Sequence, residues 1–433
     1  MKAKGERMSE KQIGYLMVIP ALIIILVIAI WPVARSFWIS MYDVRLNDPT
    51  KSQINSSYSI DMEKYTNTYP LLANIVKKEA GEAAPSLQAS YDKLQADVAN
   101  LKETVSADAT LAQRYEEIDK LLFDFKPIPA ELKYVEVDKA EAENFKKQMS
   151  EIQNDIDQMR QGNAFQKAED VKGLFNSVQS SVIEPNFIGL TYYKQYLTDS
   201  RMWSSLGNTM LFTLISVFIE LVLGLWIAML INRQFVGRGL IRASVLIPWA
   251  VPTVISALMW KFMYDGQNGI LAYVFSKVGL IPDMGWLLTT KFGAMTSIIL
   301  SDVWKTTPFM ALLLFAGLQT ISDSLYEAAE VDGATKRQQF FRITLPMLKG
   351  TVLVALLFRT LDAFRVFDLV YVLTGGGPAN STETISVYAY KTMFAQMNFG
   401  AGSALSVLVF LCIAIISIGY IKILGADLLG ERK

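Results

Sequence analysis

The sequence predicts an all-α, polytopic membrane protein with six transmembrane helices, both termini inside, and a helical, coiled-coil insert outside between the first and second helices. Three observations carry this expectation. Of the 433 residues 52% are hydrophobic, more than a soluble chain of this length carries. Six apolar runs reach the roughly 20 residues needed to cross a bilayer as a helix. Among the short connecting segments Lys and Arg cluster in alternate ones, the long 45–185 segment being set aside because long domains translocate largely regardless of charge.

The first run, Gly14 to Trp38, follows the basic stretch "MKAKGERMSEKQ" and so resembles a secretory leader. Its length exceeds the roughly 7 to 15 apolar residues of a leader and no A-x-A site follows, so a retained helix is expected. The other runs are Trp203 to Ile231, Ile241 to Met263, Phe292 to Leu318, Gly350 to Leu373 and Ala404 to Leu424. With the N-terminus inside, the inner segments hold Lys2, Lys4, Arg7 and Lys11, then Arg233, Arg238 and Arg242, then Lys336, Arg337, Arg342 and Lys349, and finally Arg432 and Lys433. The short outer loops hold only Lys277, Lys291 and Lys391.

Residues 45–185 then lie outside. Within them Leu87, Tyr91, Leu94, Val98, Leu101 and Val105 step by four and three, as do Phe145, Met149, Ile152, Ile156 and Met159. That is heptad spacing in two arms. Pro127 and Pro129 interrupt helix between them, so an antiparallel, hairpin-like stalk is expected. The domain plan is therefore 1–44 (N-terminus and first helix), 45–185 (insert) and 186–433 (the remaining helices, with a polar inner loop at 319–349).

Composition removes several classes of function. There is no histidine, so imidazole metal sites, His-based triads and histidine proton relays are excluded. Cys412 is the one cysteine, and it lies in an apolar run. The net charge is zero, which gives no nucleic-acid signal. No G-x-x-x-x-G-K-[ST] pattern occurs, so ATP and Mg are expected on a separate subunit and no cofactor on this chain.

Ionisable residues inside apolar runs cost about 2.5 to 3.5 kcal/mol each at mid-membrane, so their positions are informative. Asp302 and Lys305 stand three apart in the fourth run, followed by Thr306 and Phe309; Arg359 and Asp362 stand three apart in the fifth, followed by Arg365 and Asp368. Such spacings allow ion pairs within one helix. The pairs either neutralise one another or line a polar cavity in which Phe309, Trp304 or Phe364 stack on a ligand. Glu220 in the second run is a weaker candidate, and Pro248 with Pro252 predicts a kink in the third.

Between the fourth and fifth runs lies "EAAEVDGATKRQQFFRITLP". Ser322 or Asp323 caps a short helix, Gly333 turns the chain, and a second helix begins at Thr335 and passes into the fifth run at Pro346. This segment resembles the EAA motif of permease subunits of bacterial ABC importers, with Glu327, Ala328, Ala329, Asp332, Gly333, Ala334, Ile343, Leu345 and Pro346 at its hallmark positions. "PNFIGLTYYKQYL", "GNTMLFT", "LIPWAVPTVISALMW", "LDAFRVFDLVYVLTGGGP" and "TETISVYAY" are similar to the carbohydrate branch, the one containing the first permease of maltose-type systems.

The resemblance implies a multi-pass subunit of the bacterial cytoplasmic membrane. Its implied partners are a second permease, an ABC ATPase dimer and an extracytoplasmic sugar-binding protein. Glu327 through Ala334 would form the coupling helix seated on the ATPase, and the fourth and fifth helices would bind a di- or oligosaccharide such as maltodextrin or trehalose, with polyols as other possible cargo. The rival reading is a membrane-anchored sensor or structural protein acting through its insert. A secondary transporter would show internal repeats, and none is convincing.

Overall fold

The structure, a computed structural model, describes residues 10–234 and 236–430. The basic residues Lys2, Lys4, Arg7, Arg432 and Lys433 lie outside them. The chain divides into two compact units, one of Met1–Ser40, Leu190–Gln396 and Ala401–Lys433, the other of Met41–Gly189 and Met397–Gly400.

Among the described residues of the first unit, four helical segments are long and apolar enough to span a membrane: Gly14–Ile39, Ser200–Asn232, Lys291–Leu318 and Phe399–Ile423. Two bent pairs, Arg238–Ala250 with Thr253–Met263 and Lys336–Met347 with Lys349–Phe364, raise the number to six if each pair counts as one span. The third run is thus broken, not merely kinked, with an 88° change of direction. Pro248 is accommodated within the first half, and the break falls at Val251 and Pro252. Pro252 has no N–H to extend the preceding ladder and biases Val251 to extended backbone.

The fifth run also needs correction. Its helix is Lys349–Phe364, not a span to Leu373; the chain breaks at Arg365, Val366 and Phe367 and resumes as Asp368–Leu373.

The Ser200–Asn232 and Lys291–Leu318 helices meet along a seam of small residues. A Cβ built on Gly224 would lie 2.7 Å from Met310 Cγ and 3.2 Å from the Ala311 backbone nitrogen, and one on Gly317 would lie 2.6 Å from Thr351 Oγ1 of the Lys349–Phe364 helix. Close approach of small residues is what holds membrane helices together where lipid offers no hydrophobic penalty. Phe212, Ala228, Ile298, Met310 and Leu314 fill the space between them.

The second unit is a helical bundle with a small sheet, so the all-α expectation is corrected there. β1 (Ser59–Asp61) pairs antiparallel with β2 (Tyr134–Glu136) and β3 (Val182–Ile183), in the order β2-β1-β3. The two heptad arms form the Gln88–Ala107 and Lys139–Gln161 helices, and they run antiparallel: Lys93 pairs with Asp155 at 2.8 Å and Thr104 bonds Gln148 at 3.0 Å. Their seams do not form a two-stranded coiled coil. Tyr91, Leu94 and Val98 pack with Phe145, Ile152 and Ile156 in one core that also takes Tyr65, Leu72 and Val76 from Met62–Gly81, Ile118 from Ala109–Phe123, and Phe175 from Ala168–Gln179. Three further amphipathic helices cover faces that a free hairpin would expose.

Gly224→Leu should lower the thermal denaturation midpoint of the detergent-solubilised chain, since overpacking costs roughly 1 to 3 kcal/mol. Gly207→Leu, on the same helix but with nothing within 4 Å of an added Cβ, should leave the midpoint within error.

Candidate functional site

The Lys349–Phe364 helix carries Arg359, which is 2% exposed, into contact with two other helices. Its Nε and Nη2 donate to the two carboxylate oxygens of Glu220, which is fully buried, forming the fork geometry that suits guanidinium and carboxylate. Nη2 also donates to Asp302 Oδ2, and Nη1 reaches Asp362 Oδ2 at 3.3 Å. Thr306 Oγ1 lies 2.8 Å from Glu220 Oε1 and 2.6 Å from the Asp302 carbonyl. One guanidinium therefore ties together Ser200–Asn232, Lys291–Leu318 and Lys349–Phe364.

Glu220 is thus central, although local spacing ranks it low; its partner is 139 residues away. The expected pair of Asp302 with Lys305 is not formed. Lys305 Nζ instead donates to the carbonyls of Val251 at 2.8 Å and Trp249 at 3.4 Å. Those carbonyls lie at the helix break, where the intrahelical ladder leaves acceptors unsatisfied. Lys305 caps the break.

A cavity of about 400 Å³ opens beside this cluster. Asp302, Lys305, Thr306, Arg359 and Asp362 line it, together with Trp249 and Thr253 from the two sides of the first break and Arg365 through Leu369 from the second. Both breaks thus contribute irregular backbone where it faces a cavity and not lipid. Phe309 does not line the cavity; its ring stacks on Trp249 with centroids 5.7 Å apart. Phe364 is 1% exposed and lies in the interior, and Trp304 stands edge-on to Trp260 at 5.4 Å. Trp249 and Phe367 are the aromatics that the cavity exposes, and their signal was adjacency to a break, in "PWAVPT" and "FRVFD".

A second buried carboxylate ties the start of the Ser200–Asn232 helix to the segment around Lys391 in the same unit. Glu383 accepts from Arg201 Nε at 2.8 Å and Nη2 at 3.0 Å, and from Lys391 Nζ at 2.8 Å, while Asn208 Nδ2 donates to its backbone carbonyl at 3.1 Å. Burial alone would push this carboxyl up, but the bonds from Arg201 and Lys391 outweigh it and hold Glu383 below the ordinary range.

The 319–349 loop has its own geometry. Ser322 caps the Asp323–Val331 helix, and Gly333, at φ +77°, turns the chain. Ala334 N–H bonds Ala329 O at 2.8 Å and Gly333 N–H bonds Glu330 O at 3.0 Å, the paired bonds of a Schellman ending. Thr335 and Gln338 then form a capping box. The chain continues through a π turn, Phe340–Thr344, whose wide bond from Leu345 N–H to Phe340 O precedes Pro346. Tyr326 and Thr344 hydroxyls meet at 2.9 Å and brace the helix against this turn. Glu327, Ala328 and Asp332 remain exposed, while Ala329 and Ala334 are half-buried.

Residues 220–428 match the family described as binding-protein-dependent transport system inner membrane component. A trehalose/maltose transport system permease protein of Thermococcus litoralis is 47% identical over 240 residues, covering 55% of this chain and 80% of its own. The chain belongs to this family of transport components. The permease is also 43% identical over 251 residues to a trehalose transport system permease protein of Mycobacterium tuberculosis, covering 57% of this chain and 79% of the other. A sulfoquinovosyl glycerol transport system permease protein of Agrobacterium fabrum is 39% identical over 250 residues, covering 58% and 80%. A bacterial ABC transporter involved in import of the acidic polysaccharide alginate shares the fold, with a TM-score of 0.50 and 23% identity over 55% of the permease and 83% of that chain. The permease is accordingly an inner-membrane, non-catalytic transport subunit, and the sensor or anchor reading falls away.

Neutralising Arg359 alone, as Arg359→Gln, should sharply reduce membrane abundance, because two buried carboxylates lose their counter-charge at a cost of about 3 to 5 kcal/mol. The triple variant Arg359→Gln, Glu220→Gln, Asp302→Asn should recover abundance on immunoblots of membrane fractions. Asp362→Asn, whose side chain is 56% exposed, should hardly change it.

Proposed function

We propose that this permease forms the translocation pathway of an ATP-driven importer for a di- or oligosaccharide, trehalose or maltose type, with the cavity around Arg359 and Asp362 as its sugar site. The observation that carries this is the cavity wall itself. It combines fixed carboxylate, ammonium and guanidinium groups with the Trp249 and Phe367 rings, the combination that bonds hydroxyl groups while stacking on a pyranose face. The names of the relatives support the same substrate class, since two of them transport trehalose or trehalose and maltose. Asp302 and Arg359 are largely engaged with each other, which leaves Asp362, Arg365 and Thr253 as the wall groups best placed to reach a ligand.

The proposed assembly contains a second permease, a dimer of ATPase subunits that binds ATP and Mg, and an extracytoplasmic sugar-binding protein. Both termini lie inside, the path crosses the membrane six times, and residues 45–185 lie outside as a helical unit. The 319–349 loop couples the motor to the pathway: the exposed Glu327 and Ala328 meet the ATPase, and Gly333 with its Schellman bonds sets the angle at which the Asp323–Val331 helix is presented. A push on that helix passes through the Tyr326–Thr344 brace to the helix bearing Arg359.

Cells carrying the complete importer should take up radiolabelled trehalose or maltose, and Asp362→Ala should raise the half-saturating concentration at unchanged membrane abundance. Uptake of neither sugar by the wild type would refute the substrate class. Gly333→Val should lower uptake at least tenfold with the chain still inserted. An added Cβ there meets no atom within 4 Å, so the effect comes from the backbone, where φ +77° disfavours a β-branched residue. Glu327→Lys should likewise abolish ATP-driven uptake; normal uptake in that variant would remove the coupling role.

A further inference from the structure

Four aromatic rings of the permease stand outside the ion cluster, and one of them, Phe367, lies in the wall of its cavity. Phe367 and Tyr371 are one turn apart at the start of the Asp368–Leu373 helix. Tyr390 and Phe394 are one turn apart where the Ile385–Tyr390 helix passes into the π turn Lys391–Ala395. A spacing of four on a helical segment sets both side chains on one face.

The two pairs meet. Phe367 and Tyr371 stack at 5.2 Å with planes 20° apart, Tyr390 lies 4.8 Å from Phe367 and 5.0 Å from Tyr371, and Phe394 lies 4.9 Å from Tyr390. Of the four, Phe367 alone lines the cavity. At the far end Phe394 is 52% exposed, and Tyr371 at the flank is 40% exposed.

An aromatic patch that served only to face lipid would end at an apolar surface. This one ends at a polar wall, because Phe367 is followed by Asp368 and preceded, two residues back, by Arg365, both of which line the same cavity. The surface is therefore graded from aromatic to charged in the direction of the cavity. A pyranose matches that grading, since its axial C–H face stacks on a ring while its hydroxyls point away to water or polar groups. Stacking is non-directional enough for a sugar to shift from one ring to the next without breaking several hydrogen bonds at once. On the reading that residues 374–398 lie outside, Phe394 and Tyr390 sit where a delivered sugar arrives.

We propose that Phe394, Tyr390, Tyr371 and Phe367 form a stacking track that guides pyranose rings from the outer segment into the Arg359–Asp362 cavity. This rests on the sugar reading above and adds a route to it.

The test measures initial uptake of radiolabelled trehalose and maltose at subsaturating concentration in cells whose importer carries Tyr390→Leu, Phe394→Leu, Tyr390→Phe or Phe394→Tyr. Recovery of the second permease with this chain after affinity purification is measured alongside. The leucine variants keep apolar bulk but lose the π face, and their uptake should fall about three- to tenfold while the purified complex stays intact. The ring-retaining variants should return uptake to near wild type. Unchanged uptake in both leucine variants, or an equal fall in the ring-retaining ones, would overturn the track. Loss of the second permease from the leucine variants would make the patch a subunit contact instead. If the wild type takes up neither sugar, the substrate reading fails first and the track falls with it.

Discussion

A single buried guanidinium organises the membrane unit. Arg359 is in a place where a lone charge would be intolerable, and it persists because Glu220 and Asp302 come to it from two other helices. Each carboxylate has the same problem and the same solution, so none of the three helices can move away without exposing a charge to an apolar surround. The small-residue seam at Gly224 and Gly317 permits the close approach that ionic contacts between these helices need. Packing and charge therefore specify one arrangement of the same helices.

The two backbone breaks border this arrangement and open a cavity beside it. The break at Val251 and Pro252 frees carbonyls that would be costly in lipid, and Lys305 satisfies them from the neighbouring helix. The break at Arg365 to Phe367 swings charged and aromatic side chains toward the same space. Regular helices would have filled that space or lined it with apolar atoms. The result is a cavity whose wall carries the paired Arg359, Asp302 and Asp362 beside Lys305, Thr306 and Thr253.

Much of this was legible along the chain. The four unbroken spans follow from length and apolarity, and the Glu327–Ala334 segment could be read because its cap, its Gly333 turn and the capping box at Thr335 all depend on neighbours a few residues away. The ion network was only half legible. Asp302 and Lys305 look like a pair at a spacing of three, but their true partners come from elements elsewhere in the chain, and no local pattern can rank Glu220 above them. The end of the fifth helix was hidden for a related reason: "RVFDLVYVL" is apolar enough to continue a span, and at the break the Val366 carbonyl takes its bond from Thr384, 18 residues further on. In the second unit the heptad seams were visible, whereas the helices that cover them, and the three short strands, depend on contacts distant in sequence.

The central claim is that the space bounded by the two breaks is where the sugar sits. Cys412 is the one natural cysteine, so a Cys412→Ser background permits a single reporter at Thr253, which lines the cavity without joining the ion network. In the assembled importer, Thr253→Cys should react with a water-soluble thiol reagent, and trehalose or maltose should slow that reaction at concentrations that support uptake, while a cysteine at exposed Phe123 of the second unit should react at the same rate with and without sugar. A Thr253→Cys protein that transports either sugar but shows no protection would contradict the account.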